Sequence, residues 1–136
     1  MFTSIRWQQR FQNFEKAFQR LEEGIERINE TPDDQLLMAG LVQTYEFTME
    51  LGWKTTKDYL EELGYELVGP KIVMKQAVEA KIVRSGRMWM EAIDHRNETS
   101  HTYNRKIAEK VIKKIKSDYF QMLKELYEFF TAKFNE

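Results

Sequence analysis

The N-terminal part of the chain repeats apolar side chains at alternating spacings of four and three residues. That spacing places them along one side of an α-helix and predicts a first helix from about Thr3 to Asn29. Pro32, followed by Asp33 and Asp34, fits the start of the next helix, because proline is tolerated in a first turn and acids suit the helix dipole there. We expect the apolar stripe to form core rather than a ligand site: Trp7, Phe11, Phe14, Phe18, Leu21, Ile25 and Ile28.

A second long helix is predicted from about Asp34 to Leu63. Gly64 is a natural residue for ending it, since glycine adopts the left-handed backbone conformation of a helix C-terminus. Gly52 lies within the apolar face and predicts a close approach of another helix. The expected buried side of this helix consists of Met38, Val42, Tyr45, Met49, Thr56, Leu60 and Leu63.

Three charged residues, Glu46, Glu50 and Lys54, follow one another at one-turn spacing on the second helix. Pairing of such residues on an exposed helix surface contributes only about 0.2–0.5 kcal/mol for each pair. The functional alternative is a polar stripe that faces a site formed by Arg96 and His101. We favour surface pairing for Glu46, and both interpretations stay open for Glu50 and Lys54.

The rest of the chain also has helical periodicity, with glycine and proline at the breaks. No stretch alternates apolar and polar residues as a strand does, and there is no internal repeat. We therefore predict an all-α fold, an up-and-down bundle of about five helices in a single domain spanning residues 1–136. The predicted spans are 65–70 for a linker, 71–82 and 87–96 for two short helices, and about 100–134 for the final helix, with Thr99 or Ser100 as its N-cap.

The apolar faces are generous for a bundle of this size. Clusters at both ends of the chain add to them: Phe2, Ile5 and Trp7 near the N-terminus, and Phe129, Phe130 and Phe134 near the C-terminus. Because apolar surface of this extent is often covered by a second subunit, we expect a homodimer. The alternative is a monomer with a few exposed aromatic side chains.

Composition narrows the possible functions. The chain has 136 residues, of which 42% are hydrophobic and 32% charged, a balance typical of one soluble domain. It contains no cysteine, which excludes disulfides and thiolate metal sites, and its histidines, His95 and His101, lack metal-ligand spacing. We expect no metal and no cofactor. Neither a membrane-span pattern nor a signal-peptide pattern is present, so a cytoplasmic protein is expected.

The charges are unevenly distributed, although the net charge is only −1. Residues 15–66 contain 13 acidic and 5 basic side chains, a balance of −8, whereas residues 81–116 contain 4 acidic and 10 basic ones, a balance of +6. Such asymmetry can draw an anionic ligand to one side of a molecule. For any single lysine, a solvated helix face is the better interpretation.

The basic stretch contains the most chemically suggestive residues, Arg96, His101 and Tyr103, which lie within eight positions. An imidazole transfers protons near neutral pH, and a guanidinium holds a phosphate through a planar fork. A phenol accepts transferred groups or stacks on a base. This set fits work on a phosphodiester, although any helix turn with a histidine and an arginine looks similar by chance.

The spacing Arg96-Asn97-x-x-x-His101-x-Tyr103 resembles the signature of the HEPN superfamily of all-helical domains. Nearly the whole chain, from about Ile5 to Leu126, is similar to the nucleotidyltransferase substrate-binding protein branch, which overlaps the HepT toxin family. The second motif that carries this resemblance is Tyr45-Glu46-Phe47-x-x-Glu50-x-x-Trp53-Lys54-x-x-Lys57-x-Tyr59-Leu60. The resemblance implies a four-helix-bundle core, a homodimer, and a minimal nucleotidyltransferase that is encoded beside this protein and assembles with it.

For the toxin members, the resemblance implies a metal-independent endoribonuclease site that uses Arg96 and His101, with Asn97 as a polar helper. The nucleotidyltransferase is then an antitoxin that adenylylates Tyr103. Two positions depart from the pattern, since His95 precedes the arginine and Asn104 follows the tyrosine where acids are common.

Two hypotheses follow for the function. In the first, His101 acts as general acid or base on RNA while Arg96 stabilises the charged phosphorane. In the second, the same residues hold a substrate or nucleotide for a nucleotidyltransferase, with Glu50 and Lys54 in supporting positions and no chemistry of their own. On the sequence we favour the ribonuclease slightly; a third interpretation, a histidine satisfied in the core with no site, fits the neighbouring Arg96, Asn97 and Tyr103 less well.

Overall fold

The computed structural model describes residues 4–96, 101 and 104–136, and these residues contain helices and no strand. The all-α prediction is confirmed. The elements are α1 (Ser4–Glu30), α2 (Gln35–Glu62), α3 (Pro70–Glu79), α4 (Gly86–Asp94), α5 (Arg105–Lys114), a π-helical segment (Ile115–Tyr119) and α6 (Phe120–Phe134). No helix in the described ranges is long and apolar enough to span a membrane.

Helices α1 and α2 form an antiparallel hairpin, in which the start of α1 lies beside the end of α2. Near the open end, Trp7 meets Tyr59 edge to face with ring centroids 5.4 Å apart. The buried carboxylate of Asp58 accepts a hydrogen bond of 2.6 Å from Nε of Arg10 on the same side. The apolar stripe predicted for α1 is buried as expected, apart from the partly buried Ile25.

Helix α6 closes the core by running antiparallel to α1. Phe18 stacks on Tyr127 at a centroid distance of 4.6 Å, and Phe14 is fully buried between the helices. Gly52 makes this packing possible, since a Cβ atom there would lie 3.2 Å from both Leu126 Cδ2 and Phe14 Cε1. The predicted close approach at Gly52 is therefore confirmed.

Of the terminal aromatic residues on which the homodimer prediction partly rested, Trp7 and Phe130 provide no surplus surface. Trp7 and Phe130 are buried and lie 5.6 Å apart, centroid to centroid. Phe134 packs edge to face on Trp7 at 6.5 Å, with 37% of its surface exposed. The two ends of the chain cover each other because α1 and α6 are antiparallel. Phe2 and the side chain of Ile5 lie outside the described residues.

The N-terminus of the final helix differs from the prediction. Its N-cap is Asn104, whose side-chain oxygen accepts hydrogen bonds from the backbone N–H groups of Lys106 at 3.0 Å and Ile107 at 3.4 Å. The predicted N-cap residues, Thr99 and Ser100, lie outside the described part of the chain. Asparagine caps as well as serine or threonine does, so the sequence offered several equivalent starts.

Helices α2 and α3 also end earlier than predicted. Leu63, expected on the buried face of α2, is 58% exposed because α2 ends before it. Gly64 follows with φ +104°, the left-handed conformation predicted for this position. Helix α3 ends at Glu79 rather than near residue 82, since Lys81 has φ +61° and turns the chain towards α4.

The π-helical segment interrupts the period of the final helix. Its wider turn places Tyr119 flat against Tyr45 of α2, with centroids 5.4 Å apart and planes 13° apart. Short π-helical turns of this kind are frequent near functional sites. Tyr45 lines two neighbouring cavities, and Tyr119 lines one of them.

Candidate functional site

The site centres on a cavity of about 430 Å³ at the junction of α2, the start of α3 and the end of α4, which we call the Arg96 cavity. Its volume falls within the range of small-molecule sites. The residues that line it are Gln43, Tyr45, Glu46, Phe47, Met49, Glu50 and Trp53 from α2, together with Pro70, Ile93 and Arg96.

Helical spacing explains how α2 supplies the wall. Glu46, Glu50 and Trp53 follow one another at intervals of four and three residues, so all three side chains lie on one side of the helix. Tyr45 and Met49 are buried beneath them and join this face to the core. Glu46 and Glu50 thus line the same cavity as Arg96, as the functional alternative for this stripe requires, whereas Lys54 and His101 are not among the described residues that line it.

Trp53 is held in place by its neighbours. Its indole Nε1–H donates to Glu50 Oε2 at 3.1 Å, and Glu50 Oε1 pairs with Lys54 Nζ at 3.1 Å. Lys54 Nζ in turn lies 5.9 Å from the centroid of the Trp53 ring, within cation–π range. Both carboxylate oxygens of Glu50 are thus engaged, and Glu50 and Lys54 orient the indole in the cavity wall.

Glu46 is the second carboxylate in the wall. It is exposed and, among the described residues, it has no hydrogen bond or salt bridge. Beside it, burial first, and then the neighbouring Tyr119 and Glu46, raises the pKa of Tyr45. The phenol of Tyr45 therefore stays protonated at neutral pH, and Glu46 and Glu50 supply the carboxylates of this wall.

Helix α4 sets the position of Arg96, which follows its last turn. The start of α4 is anchored on α6, where the Glu125 carboxylate accepts from the Arg84 N–H at 3.2 Å and from the Ser85 hydroxyl at 3.0 Å. Trp89 and Ile93 bury the other face of α4. At its end, Asp94 forms a salt bridge with Lys71 of α3. Helix α4, which precedes Arg96 in the chain, is therefore held at both of its ends.

Arg96 is exposed and borders a second cavity as well, of about 590 Å³, which extends along α3 past Val68 and Ile72. Pro70 and Ile93 are shared between the two cavities. A ligand group bound at Arg96 is thus accessible from two sides.

The other predicted site residues are more dispersed. His101 is exposed, and its carbonyl accepts the Asn104 N–H at 3.1 Å, but it is not among the described residues lining the Arg96 cavity. His95 lines a separate cavity of about 230 Å³ beyond the Tyr45–Tyr119 pair. Asn97 and Tyr103 lie outside the described residues.

The Arg96 cavity is not as positively charged as the basic composition of residues 81–116 suggests. Several basic side chains of residues 105–116 pair with acids: Arg105 lies 3.2 Å from Asp33, and Lys114 lies 3.1 Å from Glu91 and 2.8 Å from Asp118. The Arg96 cavity itself combines two carboxylates with one guanidinium. It therefore suits a ligand with hydrogen-bond donors at one end and an anionic group at the other.

Metal binding has no support within the described part of the chain, where no group of three or more His, Cys, Asp or Glu residues could hold an ion.

Two residues that line the Arg96 cavity were not predicted as site residues from the sequence. Trp53 was noted only as part of a family motif, and Glu46 was assigned to surface pairing. Their spacing of four and three residues from Glu50 places all three side chains on one face of the helix, and this could have been predicted from the sequence.

We expect the Lys71–Asp94 salt bridge to give the protein an acid-sensitive contribution to stability. Hydrogen bonding to Lys71 lowers the pKa of Asp94 in the folded state. This contribution is complete above the unfolded value of about 3.9 and is lost as the pH falls through the lower folded value. Between pH 5 and pH 3, the melting temperature of the wild type should therefore fall more than that of Asp94→Asn. Parallel curves for the two proteins would contradict the prediction.

Comparison with known proteins agrees with the helical-bundle fold. The model of one family, described as nucleotidyltransferase substrate binding protein like, matches residues 9–132, and the chain belongs to that family. No curated protein matches the chain.

Two solved structures share the fold. One is HI0074 from Haemophilus influenzae, described as revealing the fold of a substrate binding domain of a nucleotidyltransferase. It is 24% identical with a TM-score of 0.75, and the match covers 93% of this chain and 99% of HI0074. The other, ttk003001694 from Thermus thermophilus, is 26% identical with a TM-score of 0.73, and the match covers 90% of this chain and 99% of the other.

The family match confirms the predicted resemblance to the nucleotidyltransferase substrate-binding branch. It favours the binding-subunit hypothesis over the ribonuclease that the sequence alone slightly favoured. Membership of the HEPN superfamily and the toxin role stay predictions.

Proposed function

We propose that this protein is a substrate- or nucleotide-binding subunit that works with a separate nucleotidyltransferase. The observation that carries the proposal is the Arg96 cavity, in which a fixed indole, a carboxylate without an ion pair among the described residues and a guanidinium border one ligand-sized space. These groups bind and orient a molecule without changing it. The name of the family and the description of HI0074 point to the same role.

In this arrangement the nucleotidyltransferase supplies the chemistry, and this chain supplies the acceptor in a fixed orientation. Holding two reactants in the right geometry lowers the entropic cost of their reaction. The test uses the minimal nucleotidyltransferase that the resemblance places beside this gene, mixed with ATP, magnesium and candidate acceptors. We expect the two proteins to co-elute and transfer to depend on this chain. Transfer at the same rate without this chain, or with Trp53→Ala in its place, would overturn the proposal.

The ribonuclease interpretation is tested by His101. Because His101 does not line the Arg96 cavity among the described residues, we expect His101→Ala to keep ligand affinity within about twofold of the wild type. Under the ribonuclease interpretation, the same change removes the general acid or base and abolishes RNA cleavage. RNA incubated with each protein, free of contaminating nuclease, is compared by gel. Cleavage by the wild type alone would favour the toxin role, and adenylylation of Tyr103 would then be tested by intact mass after incubation with the nucleotidyltransferase, ATP and magnesium.

We also propose a homodimer, on different grounds from the terminal aromatic clusters. Phe47, which lines the Arg96 cavity, is 59% exposed. Val68 and Ile72, which line the second cavity beside Arg96, are 81% and 53% exposed. A second copy on this face would remove that apolar surface from water. Light scattering at micromolar concentration should give twice the monomer mass of 16.4 kDa, and Phe47→Glu should reduce it to the monomer mass. A monomeric wild type would contradict the dimer.

A further inference from the structure

The Arg96 cavity brings an indole, a carboxylate and a guanidinium, those of Trp53, Glu46 and Arg96, to the border of one space. We propose that it binds a guanine nucleotide, with the base against Trp53, the Watson–Crick edge of the base on Glu46 and the phosphate on Arg96. This inference rests on the proposed function and specifies its ligand.

Trp53 provides the surface for the base. Its Nε1–H is already bonded to Glu50, so the edge of the ring is satisfied and its apolar surface is left to border the cavity. The Glu50–Lys54 pair keeps the indole in one orientation. Unpaired bases stack on aromatic side chains of this kind in proteins that bind single-stranded nucleic acids. Phe47 and Ile93 add apolar surface to the same cavity.

Glu46 provides the selectivity. A carboxylate only accepts hydrogen bonds, and both oxygens of Glu46 are without a partner among the described residues. Guanine presents two parallel donors on its Watson–Crick edge, N1–H and the N2 amino group, which match two carboxylate oxygens. Adenine and cytosine each pair one donor with a ring-nitrogen acceptor, which repels a carboxylate. Uracil has one donor between two carbonyls, so guanine alone fits with two bonds.

Arg96 provides the anion site. A guanidinium binds phosphate oxygens through two parallel N–H donors and keeps its charge at all physiological pH values. Arg96 borders the cavity from the α4 side, whereas Glu46 and Trp53 border it from α2. The ligand thus spans the cavity, with its neutral donors at the acidic wall and its negative charge at the guanidinium. The reverse orientation would place phosphate against Glu46 and Glu50.

The test measures binding of the four nucleoside monophosphates by tryptophan fluorescence. The chain has three tryptophans; Trp7 and Trp89 are buried and Trp53 is partly exposed, so quenching reports mainly on Trp53. We expect the wild type to bind GMP at least about tenfold more tightly than AMP, CMP or UMP, as a two-bond base contact gives. Equal affinities, or no binding of GMP, would overturn the inference.

Variants assign the selectivity to its source. Glu46→Gln should reduce the preference for GMP to about twofold or less, because an amide offers one acceptor and one donor. Glu62→Gln is the matched control, an exposed glutamate on α2 that lies outside the Arg96 cavity; it should bind as the wild type does. A preference that survives Glu46→Gln, with an unchanged circular dichroism spectrum, would contradict the assignment.

Two further arms separate the possible outcomes. The oligoribonucleotides UUGUU and UUAUU distinguish guanine in RNA from the free nucleotide: we expect GMP to bind more tightly than either, and tighter binding of UUGUU would overturn the choice of a free nucleotide. The transfer assay with the nucleotidyltransferase is run in parallel. Transfer that depends on this chain, without any preference for GMP, would overturn this inference and leave the proposed function standing.

Discussion

Arg96→Ala is expected to weaken binding of the anionic ligand by about ten- to a hundredfold, the effect of losing a hydrogen bond to a charged group. Arg96 borders both cavities at the end of α4 and is the arginine in the wall of each. Because its side chain is exposed, the change should leave the fold intact. The ligand affinity is measured by fluorescence titration, and the fold by circular dichroism and thermal melting.

Two further variants separate charge from geometry. Arg96→Lys keeps the positive charge and loses the planar fork, so its affinity should lie between those of the wild type and Arg96→Ala. Arg87→Ala removes an exposed arginine of α4 that lines neither cavity, and it should bind normally. If Arg87→Ala weakens binding as much as Arg96→Ala, the effect comes from net charge rather than from the site.

Phe14→Ala is expected to lower the free energy of unfolding by about 3–5 kcal/mol, the usual cost of removing a buried phenylalanine. Phe14 is 0% exposed and lies at the contact of α1, α2 and α6, against Gly52. Its ring also meets Phe18 and Tyr127, with centroids 6.5 and 6.3 Å away. Alanine would leave a cavity that three helices cannot close together. Urea denaturation followed by circular dichroism measures the change.

The matched control is Leu36→Ala, which removes an apolar side chain that is 85% exposed on α2 and should change the free energy of unfolding by no more than about 0.5 kcal/mol. Gly52→Val tests the same contact from the other side, since its Cβ atom would press on Phe14 and Leu126. An unfolding free energy of Phe14→Ala close to that of the wild type would mean that the three-helix contact is not the centre of the core.

The sequence by itself determined the long helices and most of the residues that they bury. Periodicity is a local property, so the apolar stripe of α1 and the glycine at position 52 were sufficient to predict a bundle and a close contact. The resemblance carried by the motifs of α2 and the Arg96–Tyr103 stretch predicted the family that the comparison then confirmed.

Only the tertiary structure decided which polar residues share a site. Whether Glu46 lies on a solvated surface or in a cavity depends on Pro70 and Arg96, which are distant in sequence and reach α2 through the placement of α3 and α4. The role of Glu50 likewise became clear from its bond to Trp53. Spacing along one helix shows which side chains share a face, but the cavity exists because a second helix end packs opposite that face.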